Sequence, residues 1–392
     1  MKKIESVAKE TVAFTRNVFG DDFVPLHRPV FEGNERQYLV DCIDSNFVSS
    51  VGEKVTEFEK SVAKFTGSKF AVATVNGTSA LHVAIELAGV LPGDEVISQA
   101  LTFIATCNAI GYTGARPVFV DVDIDTMGMS PTALSTFLDT HAEKRNGQVF
   151  NKTSGKRIAA CIPMHTFGLP CRIEEVASIC ADWGIALIED AAESLGSYVG
   201  DRHTGTFGEM ATLSFNGNKV ITTGGGGMLI TDDSDLAKRA KYITTTAKVP
   251  HPYEFVHDEI GYNYRMPNLN AALGCAQMER LEEFLSIKTK LADQWGEFFD
   301  KQNISFCRAI ESNKANHWLN AVVLNSKQDR DKFLKFTNDN GVMTRPIWQL
   351  MSKLPMFKDC QTDGLKNSLW LEDRVVNMPS SVPDGALKQL DN

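Results

Sequence analysis

FAVATVNGTSALHVAIELAGV, residues 70–90, sets the pattern of the chain. A short apolar, β-rich run (70–75) gives way, across two small polar residues, to a helical stretch (78–90). The same change of period recurs downstream. EVIS (95–98) precedes FIATCNAIGYTG (103–114), and PVFVDVD (117–123) and IAACIPM (158–164) follow. A helical stretch near 173–183 then leads to IALIED (185–190). Apolar runs of strand length alternating with helices predict an α/β fold, a mainly parallel mixed sheet covered by helices.

Outside this block the patterns differ. Residues 1–19 read as a helix, with Ile4, Val7, Ala8, Thr11, Val12 and Phe14 compatible with one apolar face. HAEKRNGQVFNKTSGKR (141–157) is polar and reads as an exposed loop. A Pro- and Gly-rich stretch (249–267) leads into one long helical segment from about Leu269 to Phe299. The remainder mixes short apolar runs with turns. The expected division is a large domain at 55–280. A smaller α+β domain is expected from 1–54, with its N-terminal helical extension, and 281–392.

The 392 residues are 43% hydrophobic and 23% charged, with a net charge of -9. Such a chain buries a large core without staples. The acidic balance argues against nucleic acid or a membrane surface as the main partner, since both favour a basic footprint. No run of 18 or more apolar residues suggests a membrane span, and MKKIESVAKETVAF lacks a signal-peptide core. Eight scattered cysteines without a C-x-x-C pair fit buried thiols in a reducing cytoplasm. No His/Cys/acid spacing suggests a metal site.

Ligands in open α/β sheets bind at the carboxyl ends of strands, and three strand ends carry candidate chemistry. Gly77, Thr78 and Ser79 open a helix, where small residues, hydroxyls and free N–H groups suit an anion. A plain helix cap would explain them equally well. Glu189 and Asp190 end an apolar strand, where an acid either caps the next helix or faces a ligand. Lys219 follows ATLSF and precedes the four glycines 224–227. A lysine so constrained can serve as a nucleophilic amine, although an isolated lysine is usually solvated. Together the three parts match what pyridoxal 5'-phosphate requires: a phosphate site, an acid for the ring nitrogen and a lysine for the Schiff base.

NGTSAL, LTFIATCNAI, MHTFGLP, IEDAAESLGS, SFNGNKVITTGGGG and GYNYRM, in this order, resemble the DegT/DnrJ/EryC1/StrS sugar aminotransferases, fold-type I pyridoxal phosphate enzymes. The resemblance runs from FVSSVGEKVTEFE (47–59) to NMPSSVPD (377–384). It implies that Lys219 carries the cofactor and that Asp190 pairs with its ring nitrogen. It implies that Gly77, Thr78 and Ser214 hold the phosphate, that Phe103 stacks on the ring and that His165 lies near it. Asn263 would reach the phosphate from the second subunit of a homodimer. Glu193 stands where many relatives have Gln, close to the cofactor's phenolic oxygen. FNGN (215–218) stands where many have a histidine.

The implied reaction is amino transfer from L-glutamate to a nucleotide-linked keto sugar. FVPLHRPVFEGNE (23–35) and the 47–59 segment look most like enzymes that aminate C4 of a UDP-linked 4-keto-6-deoxy-N-acetylhexosamine. A GDP-4-keto-6-deoxymannose aminotransferase of the perosamine type is the alternative. A sugar dehydratase on this fold would have histidine in place of Lys219. A lyase would release a fragment, and a non-catalytic relative would have no need of the intact set. The sugar's diphosphate requires local cations or N–H groups, and by position the candidates are Lys54, His317 and Arg345, each equally readable as a solvated charge.

Overall fold

The computed structural model describes residues 4–310 and 312–387. It opens with α1 (Ile4–Phe19), α2 (Glu35–Asp44) and α3 (Glu53–Thr66). A strand–helix series follows: β1 (Phe70–Thr74), α4 (Gly77–Leu87), β2 (Glu95–Gln99), α5 (Ile104–Tyr112), β3 (Arg116–Val120) and α6 (Pro131–His141). Next come the hairpin β4 (Ala142–Arg145) and β5 (Gln148–Asn151), then β6 (Ile158–Ile162), α7 (Ile173–Trp183) and β7 (Ala186–Asp190). A small hairpin, β8 (Tyr198–Val199) and β9 (Arg202–His203), precedes β10 (Met210–Ser214), β11 (Gly227–Thr231) and α8 (Ser234–Thr244). The two-residue strands β12 (Lys248–Val249) and β13 (Val256–His257) lead to α9 (Asn268–Glu279) and α10 (Leu281–Asp300). The chain ends with β14 (Ser305–Phe306), β15 (Asn320–Val323), α11 (Lys327–Asp339), β16 (Arg345–Pro346), α12 (Lys366–Glu372) and β17 (Val375–Met378).

Seven strands form the main sheet in the order β1-β11-β10-β7-β6-β2-β3. Only β11 runs against the rest, pairing antiparallel with β1 and β10 while the other neighbours pair parallel. Covered on both faces, β2 and β11 are buried along their whole length. This is why neither alternates between apolar and polar positions: Met228, Leu229 and Ile230 run consecutively in β11, and β2 buries Val96 and Ile97 together with Glu95, Ser98 and Gln99. A second sheet of four antiparallel strands, β14-β15-β17-β16, is built from the C-terminal part. The expected α/β architecture, a mainly parallel mixed sheet between helices with a smaller α+β part, is what the chain adopts.

α1 buries Val7, Ala8, Thr11, Val12 and Thr15, a helical stripe, and Phe14 lies 4.6 Å from the Trp295 ring. α3 buries Val55, Phe58 and Val62 at helical spacing, and it packs with α2 against α9.

Two local expectations are corrected. Residues 141–157 are not a loop: they contain the β4/β5 hairpin. Its turn is Asn146-Gly147, both with positive φ (51° and 78°), the dipeptide that a tight hairpin turn favours. Its inner positions Ala142, Val149 and Asn151 are buried, and Asn151 Nδ2 donates to Glu95 Oε2 at 2.7 Å. The 269–299 segment is two helices, not one. Arg280, at φ -108° and ψ 2°, leaves helical geometry between α9 and α10.

Candidate active site

The carboxyl ends of β1, β7 and β10 converge on one edge of the main sheet, and each sequence candidate there can be located. At the end of β1, Asn76 caps α4 by accepting the Ser79 N–H at 2.8 Å. The cap is thus Asn76, and the N–H groups of Gly77 and Thr78 remain among the helix's unbonded N-terminal donors. Gly77 abuts β10: a Cβ there would lie 3.0 Å from Ser214 Cβ. The two residues form a cradle that a larger side chain at 77 would fill. Ser214 in turn pairs with Gly227 of β11.

At the end of β7 the two acids part company. Asp190 is 4% exposed, accepts from Thr106 Oγ1 at 2.7 Å through Oδ2, and accepts the Ala192 N–H at 3.2 Å through Oδ1. Burial raises its pKa, against the opposing pull of Thr106, the Ala192 amide and the charges of Lys219 and His165. A cationic ring nitrogen beside it would restore the carboxylate. Glu189 is fully buried and belongs to a different network. It accepts N–H bonds from Gly205, Phe207 and Gly208 at 2.6–2.8 Å. His165 Nε2 lies 3.0 Å from Glu189 Oε2, and the Cys171 amide donates to His165 Nδ1 at 3.3 Å. His165 reaches Asp190 through the backbone: its N–H donates to the Asp190 carbonyl at 3.2 Å.

Beyond β10, the Lys219 amine lies 3.5 Å from Glu193 Oε1 and 3.8 Å from the centroid of the Trp318 ring. Glu193 is 3% exposed, and its Oε2 accepts the Phe167 N–H at 2.8 Å. Burial lifts its pKa to about 7 despite the counter-effects of Lys219 and the Phe167 amide. Phe167 itself holds a left-handed φ of 58°, a costly conformation for an aromatic residue. Asn316 Nδ2 donates to the carbonyls of Glu193 and Leu195, at 2.8 and 2.9 Å. Glu193, Ser214, Lys219, Asn316 and Trp318 line one small cleft.

The remaining candidates are more dispersed. Phe103, at the start of α5, is 48% exposed, with its ring 6.1 Å from that of Trp348. Asn263 is exposed on a segment running beside the cradle, where the Val75 N–H donates to the Tyr264 carbonyl at 2.8 Å. Lys54 pairs with Glu57 at 2.8 Å and lies over the Tyr38 ring. Arg345 is exposed on β16, donating to Asn338 Oδ1 at 3.2 Å. His317, expected among the cations, is half-buried on the segment just before β15. Burial, then the charge of Lys288, pushes its pKa to about 4, which disfavours a charged role for it. Thr106, Asn316 and Trp318 escaped sequence reasoning. Thr106 sits in FIAT one helical turn after Phe103, a spacing that could have flagged it. The other two carry no strand-end signal.

These residues fit pyridoxal phosphate: a helix N-terminus beside a side-chain-free cradle, a buried acid with the geometry to hold a ring nitrogen's proton, and a shielded amine between them. The fold and this site define a pyridoxal-phosphate-dependent aminotransferase. A family model described as the DegT/DnrJ/EryC1/StrS aminotransferase family matches residues 29–386, and the chain belongs to that family. It is 35% identical over 364 residues to a GDP-perosamine synthase of Escherichia coli O157:H7, covering 91% of this chain and 93% of that one. A GDP-perosamine synthase of Vibrio cholerae is 32% identical, over 94% and 97% of the two chains. The Streptococcus pneumoniae protein Spr1654 in its PLP form superimposes with a TM-score of 0.83 at 20% identity, covering 94% and 96%; at that identity the likeness concerns the fold.

Proposed function

We propose that the protein transfers the amino group of L-glutamate to the C4 keto carbon of a nucleotide-linked 4-keto-6-deoxyhexose. The observation that carries this reading is the Lys219 amine, held 3.5 Å from Glu193 at the sheet edge where Asp190 and the Gly77–Ser214 cradle also lie. Pyridoxal phosphate, when bound, supplies an electron sink for the carbon that loses its proton. The chain's own groups do the rest. Gly77, Thr78, Ser79 and Ser214 hold the phosphate. Asp190 holds a proton on the ring nitrogen, and Thr106 fixes the carboxylate's angle. The Lys219 amine takes the proton from the donor's Cα and returns it on the other side of the transfer, a task needing a group that loses and regains a proton. Phe103 covers the ring, and His165 buttresses the Asp190 backbone. Trp318 walls the cleft against water, and the Phe167 N–H holds Glu193 in place.

Two nucleotide readings stand. The relatives named GDP-perosamine synthase match over nine-tenths of both chains and favour a GDP-linked 4-keto-6-deoxymannose. The 23–35 and 47–59 segments favour a UDP-linked N-acetylhexosamine, and the GDP reading weighs at least as much. Asn263, exposed beside the cradle, is assigned to the phosphate of a second copy in a cytoplasmic homodimer. The deciding experiment is a panel of GDP-, UDP- and dTDP-linked 4-keto sugars with glutamate. One nucleotide is expected to dominate, and failure of all of them to accept an amine would overturn the proposal.

A further inference from the structure

Below the cleft lies a lysine for which the reaction as described has no use. Lys288, on α10, is 1% exposed. Its Nζ approaches three acceptors from three distant parts of the chain: His27 Nε2 at 3.0 Å, the Trp318 carbonyl at 3.3 Å and the Ser380 carbonyl at 2.5 Å. When protonated, a lysine amine has three N–H donors, and these acceptors match them one for one, while burial lowers the Lys288 pKa to about 7. None of the three is an acid, so they supply no formal opposite charge. His27 serves as acceptor because burial, and then the charges of Lys288 and Lys219, hold its imidazole well below the ordinary pKa.

The Trp318 contact leads into the site. The indole Nε1 donates to the Asn218 carbonyl at 2.6 Å, one residue before Lys219. The face of the same indole lies 3.8 Å from the Lys219 amine. Thus Trp318 touches the Lys219 loop at its backbone and at its side-chain tip. The turn that carries it is strained, since His317 adopts φ 51°. Such a turn persists only where its surroundings hold it. Asn316 ties it to Glu193 and Leu195 from one side, and Lys288 ties it from beneath.

We propose that Lys288 is a positioning residue for amino transfer: by gripping the Trp318 carbonyl it fixes the indole against which the Lys219 amine rests. His27 and Ser380 complete its shell and keep it aimed. A purely structural role would lower stability and leave the amine's chemistry unchanged, whereas a positioning role alters the environment of Lys219 itself.

The test uses the cofactor-loaded full-length protein and follows the visible absorbance of the Lys219-linked cofactor against pH, alongside kcat and KM. It rests on the aminotransferase reading only through that signal. Lys288→Met is expected to move the spectral midpoint by about half a pH unit or more. It should lower kcat about tenfold and change KM for glutamate less than about twofold. Because Lys288 acts through Trp318, Lys288→Met combined with Trp318→Phe should be little worse than Trp318→Phe alone. A folded Lys288→Met protein with wild-type midpoint and kcat would overturn the proposal, as would losses that simply multiply. If Lys288→Met does not fold, Lys288→Gln, which keeps one donor group, carries the same comparison with a smaller shift in the same direction. A wild-type protein without the visible band would sink the cofactor reading, and the proposal with it.

Discussion

The amine of Lys219 stands 3.5 Å from a carboxyl oxygen of Glu193, and that carboxyl is almost wholly shielded from water. The pair places a group titrating near neutrality against the residue that moves protons. Burial raises Glu193 to about 7, from an ordinary value of 4.5. The pH–rate profile should therefore show a limb near 7 that disappears in Glu193→Gln. The sign for stability follows from proton counting. Between pH 4.5 and 7 the folded cofactor-free protein holds a proton at Glu193 that the unfolded chain has lost. This contribution is fully present below the unfolded value and fades as pH rises through 7. Denaturant melts of the cofactor-free proteins should show Glu193→Gln gaining on wild type by up to about 3 kcal/mol between pH 4.5 and 8. Parallel pH curves would remove Glu193 from this role.

Lys219→Ala should abolish turnover and the covalent attachment of the cofactor. Borohydride treatment followed by mass measurement is the check. A reducible link that persists elsewhere on the protein would mean that the lysine has been misassigned.

Asp190→Asn should fold and yet lose activity by about two orders of magnitude, because a neutral amide cannot hold the ring nitrogen's proton. Thr106→Val removes the 2.7 Å hydroxyl bond to the same carboxyl and should cost less. Wild-type rates in a folded Asp190→Asn protein would falsify the electron-sink assignment.

Asn263→Ala should weaken cofactor retention on dilution if a second subunit supplies this side chain. Ultracentrifugation with activity measured at the same concentrations is the test. A fully active monomer would exclude a shared site.

The sugar without its nucleotide should be a poor substrate, with kcat/KM lower by about two orders of magnitude, because remote binding energy positions the reacting carbon. Equal values for the two forms would point to a general ketone aminotransferase.

Most of the large sheet was legible in the sequence, because buried parallel strands announce themselves as short apolar runs and their carboxyl ends name the places to look. Strand period also explains what was ambiguous. Glu189 and Asp190 are adjacent, so they point to opposite sides of β7. Strand period alone could not say which of them faces the cleft; the resemblance named Asp190, and the structure shows Glu189 bound by the 205–208 amides. Trp318 and Asn316 were not legible. They arrive from just before β15, a strand of the smaller sheet, a hundred or so residues from Lys219 in sequence. Their turn owes its place to long-range packing on Lys288, Glu193 and Phe167. The lowered pKa of His317 was not legible for the same reason: composition does not reveal burial. Asn146-Gly147 was a readable hairpin signal, overlooked among its polar neighbours.

The reversed direction of β11 has a bearing on redesign. It brings the glycine run back past the cradle, so Gly227 opposes both Thr74 and Ser214. A Cβ at 227 would come within 2.3 Å of the Asn76 carbonyl, and one at 226 within 2.2 Å of Thr223 Oγ1. At 225 the nearest atom would be 3.9 Å away. The four glycines are therefore unequal targets for a mutational library. Position 225 is open to small side chains, whereas 226 is closed by Thr223 and Met266 and 227 by the Asn76 and Gly77 backbone. A library over this run should vary the first and leave the other two untouched.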